Sequence, residues 1–200
     1  MPRLVLGSAS PRRAALLRDM GVAFDVRSAD LDERQRPDEA VDSLVRRVAR
    51  EKGAAVSSAV ADAWVLSADT IVVVDGVALG KPVDAADARA MLERLSDRPH
   101  VVLTAVALTT NSGLAEELLV QTTVEFRALS SAEIDAYIAS GEPFDKAGAY
   151  GIQGHAGGFV RRIEGSYTNV IGLPVEEVGA LLERHGIWAR APEAAAARRP

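Results

Sequence analysis

The sequence predicts an α/β fold built on a mixed sheet with flanking helices, in two lobes around a central cleft. Strand and helix patterns alternate through the first third of the chain, and hairpin-forming extended runs dominate its middle. Residues 4–6 form a short apolar run closed by Gly7, read as a buried first strand. In SASPRRAALLRDMG, Ser10 suits an N-cap and Pro11 the first helical turn; Ala14, Leu17 and Met20 share a face, and Gly21 suits the left-handed stop. Residues 22–26 read as a strand. After the polar loop SADLDERQRPDEA, Val41, Leu44, Val45, Val48 and Ala49 mark a longer helix that frays near Ser57. Residues 64–79 hold two extended runs around Asp75-Gly76, a strong hairpin signal. Asp84 caps a helix with Ala88, Met91, Leu92 and Leu95 on its buried side. Residues 100–110 and 122–128 read as strands, joined through a turn at Asn111-Ser112-Gly113, with a further strand at 114–120 as an option. Ser130 and Glu133 form a capping-box pattern for a helix through Ile134, Tyr137 and Ile138 that stops at Gly141. The segment PFDKAGAYGIQGHAGGFV has no clear helical period. Pro174 opens the last helix, with Val175, Val178, Leu181 and Leu182 as its stripe and Gly186 as its stop.

With 200 residues, 48% hydrophobic and 26% charged, the chain can bury one core, expected over residues 1–189. The tail RAPEAAAARRP, 190–200, has nothing to bury and is expected to be disordered. No apolar run reaches the roughly 18 residues of a membrane span. The apolar stretch in MPRLVLGSAS is too short for a signal peptide, so a cytoplasmic location is the expectation. The absence of cysteine removes disulfides, thiolate metal sites and a thiol nucleophile, and three scattered histidines argue against a histidine-rich metal site. A net charge of −5 disfavours general nucleic-acid binding, so any anion site must be local.

Arg12 and Arg13 stand at a helix start, where unpaired N–H groups and the helix dipole already attract anions, and two guanidinium forks there suit a polyphosphate. Solvated arginines beside an ordinary cap fit the local pattern equally. Lys52 continues the stripe through Val45 and Val48, so its ammonium turns toward the packed or cleft side; snorkelling at the helix end is the alternative. Asp69 interrupts WVLSADTIVVV, where an uncompensated carboxylate would be costly, so a metal or cationic neighbours should neutralise it, unless it only bonds turn amides. Glu33 in the acidic loop and Lys81 in LGKP are ambiguous alone. In DKAGAYGIQG, close glycines permit backbone approach to a ligand, and Gln153 offers the donor and acceptor needed to read an imide edge; a flap without ligand is the alternative. Neither a Walker loop, nor GxGxxG after a strand, nor GxSxG is present.

Taken together and in order, SASPRR, the Glu33 loop, AREK with Lys52, SADTIVVVDG, LGKP and FDKAGAYGIQG resemble the Maf family of nucleoside triphosphate pyrophosphatases, named for septum-formation inhibition. The resemblance implies a two-lobed α/β fold similar to the inosine-triphosphate pyrophosphatases, and cytoplasmic, often homodimeric members. It makes Asp69 the proton acceptor and assigns Arg12, Thr70 and Gln153 to substrate specificity. Ser8, Arg13, Lys52, Lys81 and Lys146 would bind phosphate. Glu33 and Asp69 would help hold a divalent cation, Mg²⁺ or Mn²⁺, and Asp145 would also line that side. DKAGAYGIQG resembles the branch acting on dTTP and UTP. The implied partner is a nucleoside triphosphate, with neither nucleic acid nor membrane. The same chemistry on modified or purine nucleotides, and a non-catalytic nucleotide sensor in cell division, remain as alternatives.

Overall fold

A twelve-residue strand, β3 (Ala63–Val74), organises the sheet in the computed structural model, which describes residues 2–189. The tail at 190–200 lies outside the described residues. On one side β3 pairs in parallel with β1 (Arg3–Leu6), which itself pairs in parallel with β2 (Asp25–Val26). On the other it pairs antiparallel with β5 (Pro99–Thr110), followed by β6 (Gly113–Phe126) and β7 (Val160–Glu164). The short β4 (Val77–Leu79) folds back on β3 through Asp75 and Gly76, at φ of 52° and 74°, a turn whose twist suits a two-residue hairpin. The described residues thus form a seven-stranded mixed sheet, as the sequence pattern predicts.

Its helices are α1 (Pro11–Asp19), α2 (Val41–Ser57), α3 (Ala85–Leu95), α4 (Ser131–Ala139), α5 (Tyr167–Ile171) and α6 (Val175–Arg184). Strand alternation sorts them onto two faces. Ile71, Val73, Leu103, Ala105 and Ala107 point one way and pack against Leu44, Val45, Val48 and Ala49 of α2. The opposite face carries two clusters. Leu66, Ala68, Val106 and Leu108 meet α1 and α6, whereas Val72, Val74, Val102, Val124 and Phe126 meet α3, α4 and the glycine-rich segment. Between these clusters the paired positions are Thr70 and Thr104, a polar seam where an apolar core would otherwise continue. Among the described residues, no helix is long and apolar enough to cross a membrane.

Several local expectations change. The strand at 22–26 is reduced to two residues, because Val22 N–H closes on Leu17 O and its side chain enters the core instead. The runs at 114–120 and 122–128 are one strand, continuous through a register shift at Leu108/Thr109 of its partner. The glycine-rich segment forms three short 3₁₀ turns, at Glu142–Asp145, Ala147–Ala149 and His155–Phe159. Strand β7 and helix α5 follow it, and neither is visible as periodicity. Pro174 is the N-cap of α6 rather than its first residue.

His100 lies in the α3/α4 core, 2% exposed, with Nε2 2.9 Å from Tyr150 Oη and its ring edge-on to Phe126. Burial pushes the imidazole from 6.5 down to about 4. The unfolded chain therefore binds a proton first as pH falls, so this contribution is complete above about pH 6.5 and is lost progressively toward pH 4, by about 3 kcal/mol. Urea denaturation of His100→Phe should decline less steeply than wild type over that interval.

Candidate active site

A gap in strand pairing opens the site. The last bond from the β1 side is Gly7 N–H to Leu66 O at 2.8 Å, after which the chain leaves for α1. Pairing on the same edge resumes only at Val72 opposite Leu79. Residues 67–71 of β3 consequently have no strand along that edge, and Asp69 and Thr70 stand in the opening. Around it lies a cavity of about 850 Å³, and every sequence-predicted site residue lines it: Ser8, Arg12, Arg13, Glu33, Lys52, Asp69, Thr70, Lys81, Lys146 and Gln153, with Asp145 beside them.

Asp69 is 8% exposed on the α2 face. Its Oδ1 accepts from Lys52 Nζ at 2.8 Å, and the same ammonium meets Glu33 Oε1 at 2.8 Å. Lys52 reaches this point because α2 lies close on the sheet. A Cβ on Gly53 would fall 2.8 Å from Ser67 Oγ and 2.9 Å from Thr109 Cγ2, while Ser67 Oγ donates to Ala49 O at 2.7 Å. The loop bearing Glu33 is tied to the same helix by Arg47, which donates to Glu39 at 2.6 Å and to Arg34 O at 3.0 Å.

At the α1 start, Ser10 Oγ accepts Arg13 N–H, as a cap should. Arg13 is 8% exposed, and three of its five N–H groups are already engaged: Nη1 on Ser8 Oγ at 3.1 Å, Nη2 on Thr70 Oγ1 at 3.0 Å and Nε on Gly172 O at 2.8 Å. Burial lowers the guanidinium's pKa, and nearby Asp69 opposes that shift. Arg13 thus braces Ser8, Thr70 and α5 with two N–H groups left over. Ser8 Oγ accepts a second bond from Ser10 N–H, leaving its own proton for a ligand.

Arg12 and Lys146 converge on Asp145, at 3.1 and 2.5 Å. Desolvation pushes that carboxyl up, but the bonds from Lys146 and Arg12 prevail and hold it below the ordinary range. Lys81 makes no ion pair among the described residues. Gln153 is exposed on a flap whose flanks are fixed. Tyr137 Oη accepts Gly151 N–H and donates to Glu142 Oε1, both at 3.1 Å, while Glu142 Oε2 accepts His155 N–H at 3.2 Å. Tyr137 was read from the sequence only as a helix-stripe residue, and Glu142, Thr104, Asn169 and Gly172 were not singled out from it. They act from behind the site, and only the capping spacing of Ser166 and Asn169 hints at any of them.

Comparison with known proteins gives the chain its family. The Maf family profile, described as Maf-like protein, matches residues 3–185. This chain belongs to the Maf-like family. Among the Maf-like relatives, a dTTP/UTP pyrophosphatase of Anaeromyxobacter dehalogenans is 53% identical over 188 residues, covering 92% of this chain and 95% of the relative. Another of that name, from Myxococcus xanthus, is 54% identical over 185 residues, covering 92% and 93%. A solved HAM1 protein from Coxiella burnetii has a TM-score of 0.52 at 18% identity, covering 92% of this Maf-like chain and all of that one, a likeness of fold.

Flap geometry can be tested apart from chemistry. A Cβ on Gly154 would sit 2.0 Å from Glu142 Oε1, an overlap that must displace the clasp beside Gln153. Gly154→Ala should swing the Glu142 carboxylate off Tyr137 and the His155 N–H, lose about 1 kcal/mol in urea denaturation and expose the 142–155 segment to limited proteolysis.

Proposed function

We propose that the chain hydrolyses dTTP and UTP to the monophosphate and pyrophosphate. The observation that carries this reading is a nearly buried acid, Asp69, set in a hollow that brings Arg12, Lys52, Lys81 and Lys146 together with it from separate parts of the chain. Such a hollow suits a polyphosphate, and its volume suits a nucleotide-sized ligand. The names and coverage of the relatives support the choice of substrate, as does DKAGAYGIQG.

In this mechanism water attacks the α-phosphorus, the bond from that phosphorus to the α,β-bridging oxygen breaks, and pyrophosphate leaves. Asp69 takes the proton of the attacking water. Lys52 holds and orients Asp69 through its 2.8 Å contact, while Arg12, Lys81 and Lys146 stabilise charge spread over the phosphate oxygens. Gln153, on the flap, supplies an amide N–H to a carbonyl oxygen of the base.

The donor set fits a divalent cation such as Mg²⁺ or Mn²⁺. Asp69 and Glu33 each give one oxygen to Lys52 and retain a second. The described residues hold no group of three acids or histidines, so a cation here would take two carboxylates and complete its shell with phosphate oxygens and water, as Mg²⁺ does at triphosphate sites. When bound, the cation supplies Lewis acidity that offsets phosphate charge and acidifies water. A cytoplasmic setting fits both the nucleotide pool and a cysteine-free chain.

The reading is tested on a panel of normal and modified nucleoside triphosphates, assayed for monophosphate and pyrophosphate. Expected is release of pyrophosphate from dTTP and UTP that stops when EDTA removes divalent cations; a nucleotide sensor releases none, and a purine preference would displace the substrate assignment. Asp69→Asn should abolish turnover while nucleotide binding by calorimetry stays largely intact, and wild-type turnover in that variant would remove Asp69 as the proton acceptor.

A further inference from the structure

Behind the cleft, Thr104 decides which way the Thr70 hydroxyl points. Thr104 is fully buried and lies opposite Thr70 in the β3–β5 pairing. Its one proton goes to the main-chain oxygen of Asn169 at 3.1 Å, a group that can only accept. The 2.9 Å contact between the two threonine oxygens therefore has a fixed sense: Thr70 donates and Thr104 accepts. Arg13 Nη2 donates to Thr70 Oγ1 from 3.0 Å and occupies one of its lone pairs. Thr70 is left with a single lone pair and no proton for a ligand. The Asn169 carbonyl cannot drift, because its Nδ2 donates to Val102 O at 3.2 Å and Thr122 Oγ1 at 3.0 Å, and its N–H donates to Ser166 Oγ at 3.2 Å.

We propose that Thr104 is a positioning residue for base choice. It holds Thr70 as a pure acceptor that meets the N3–H of uracil or thymine and turns away cytosine, whose N3 is itself an acceptor. On the dTTP/UTP reading above, on which this rests, the phosphates are not what Thr70 binds, since their oxygens only accept. The donors common to dTTP and UTP are N3–H and the 3′-hydroxyl, and the hydroxyl is shared by every nucleoside triphosphate, so it cannot discriminate. Val72 and Val102, on the same sheet face as Thr70, line the cavity with Ile152 and Ile171 and give a flat base an apolar seat. Two lone pairs facing each other in such a site should cost about tenfold or more in kcat/KM.

The test measures kcat/KM for UTP, CTP and base-free ribose 5′-triphosphate. In Thr104→Val the Thr70 proton is released and can turn toward the cleft, so the UTP:CTP ratio should fall about tenfold while ribose triphosphate is hydrolysed as by wild type. Thr104→Ser restores the acceptor and should restore the ratio. An unchanged ratio in Thr104→Val, or an equal fall for UTP and ribose triphosphate, overturns the proposal. A measurement on wild type stands whether or not the valine variant folds: N3-methyl-UTP should react at least about tenfold more slowly than UTP, and equal rates overturn the proposal. Failure of the dTTP/UTP reading is distinct, since wild type would then release no pyrophosphate from UTP at all.

Discussion

One ammonium, that of Lys52, makes the interior of this sheet tolerable for an acid. Asp69 sits in a strand where Ser67, Ile71 and Val73 flank it on the same face, and its burial without a counter-charge would cost several kcal/mol. Lys52 answers it from the buried stripe of α2, and the same contact collects Glu33 from the preceding loop. Much of the architecture serves this bridge. Gly53 lets the helix backbone come against the sheet, Ser67 fastens it there, and Arg47 ties the loop to the helix. A bridge of this kind adds little stability by itself, yet losing either partner is expensive, which is how positioned acids are usually held.

The second organising feature is the polar seam on the opposite face. Apolar packing on the face away from α2 is interrupted by Arg13, Thr70, Thr104, Asn169 and Thr122, joined in one hydrogen-bonded line. Buried polar groups are stable when each finds a partner, and this line links α1, three strands and α5. The seam separates the α1/α6 cluster from the α3/α4 cluster on that face, so the cleft opens where the core is least able to close.

Much of this was legible in the sequence for reasons that are local. Ser10, Asp84 and Ser130 announce helix starts because a cap is a contact within one turn. Asp75-Gly76 announces a hairpin because positive φ is needed there. Lys52 at the end of an apolar stripe and Asp69 within an apolar strand conflict with burial, and such conflicts mark places where chemistry overrides packing. Helix α5 and strand β7 stayed hidden because each is only five residues long, too short for a period to register. Thr104 and Asn169 stayed hidden because polar residues in a strand and a short helix look ordinary until a partner 65 residues away is in contact. The split of β6 into two runs failed on Gln121, a polar residue that the long antiparallel pairing with Leu103 carries without a break.

Asp69 and Thr70 are successive residues of one strand, so pleating turns them to opposite sides of the sheet. Acid and hydroxyl are thereby yoked, and inserting or deleting a single residue between the Gly7 junction and Val72 would exchange their sides together. A substitution at either position changes one side of the sheet alone, whereas a change in the length of this segment moves both at once, so its spacing is held more tightly than its side chains.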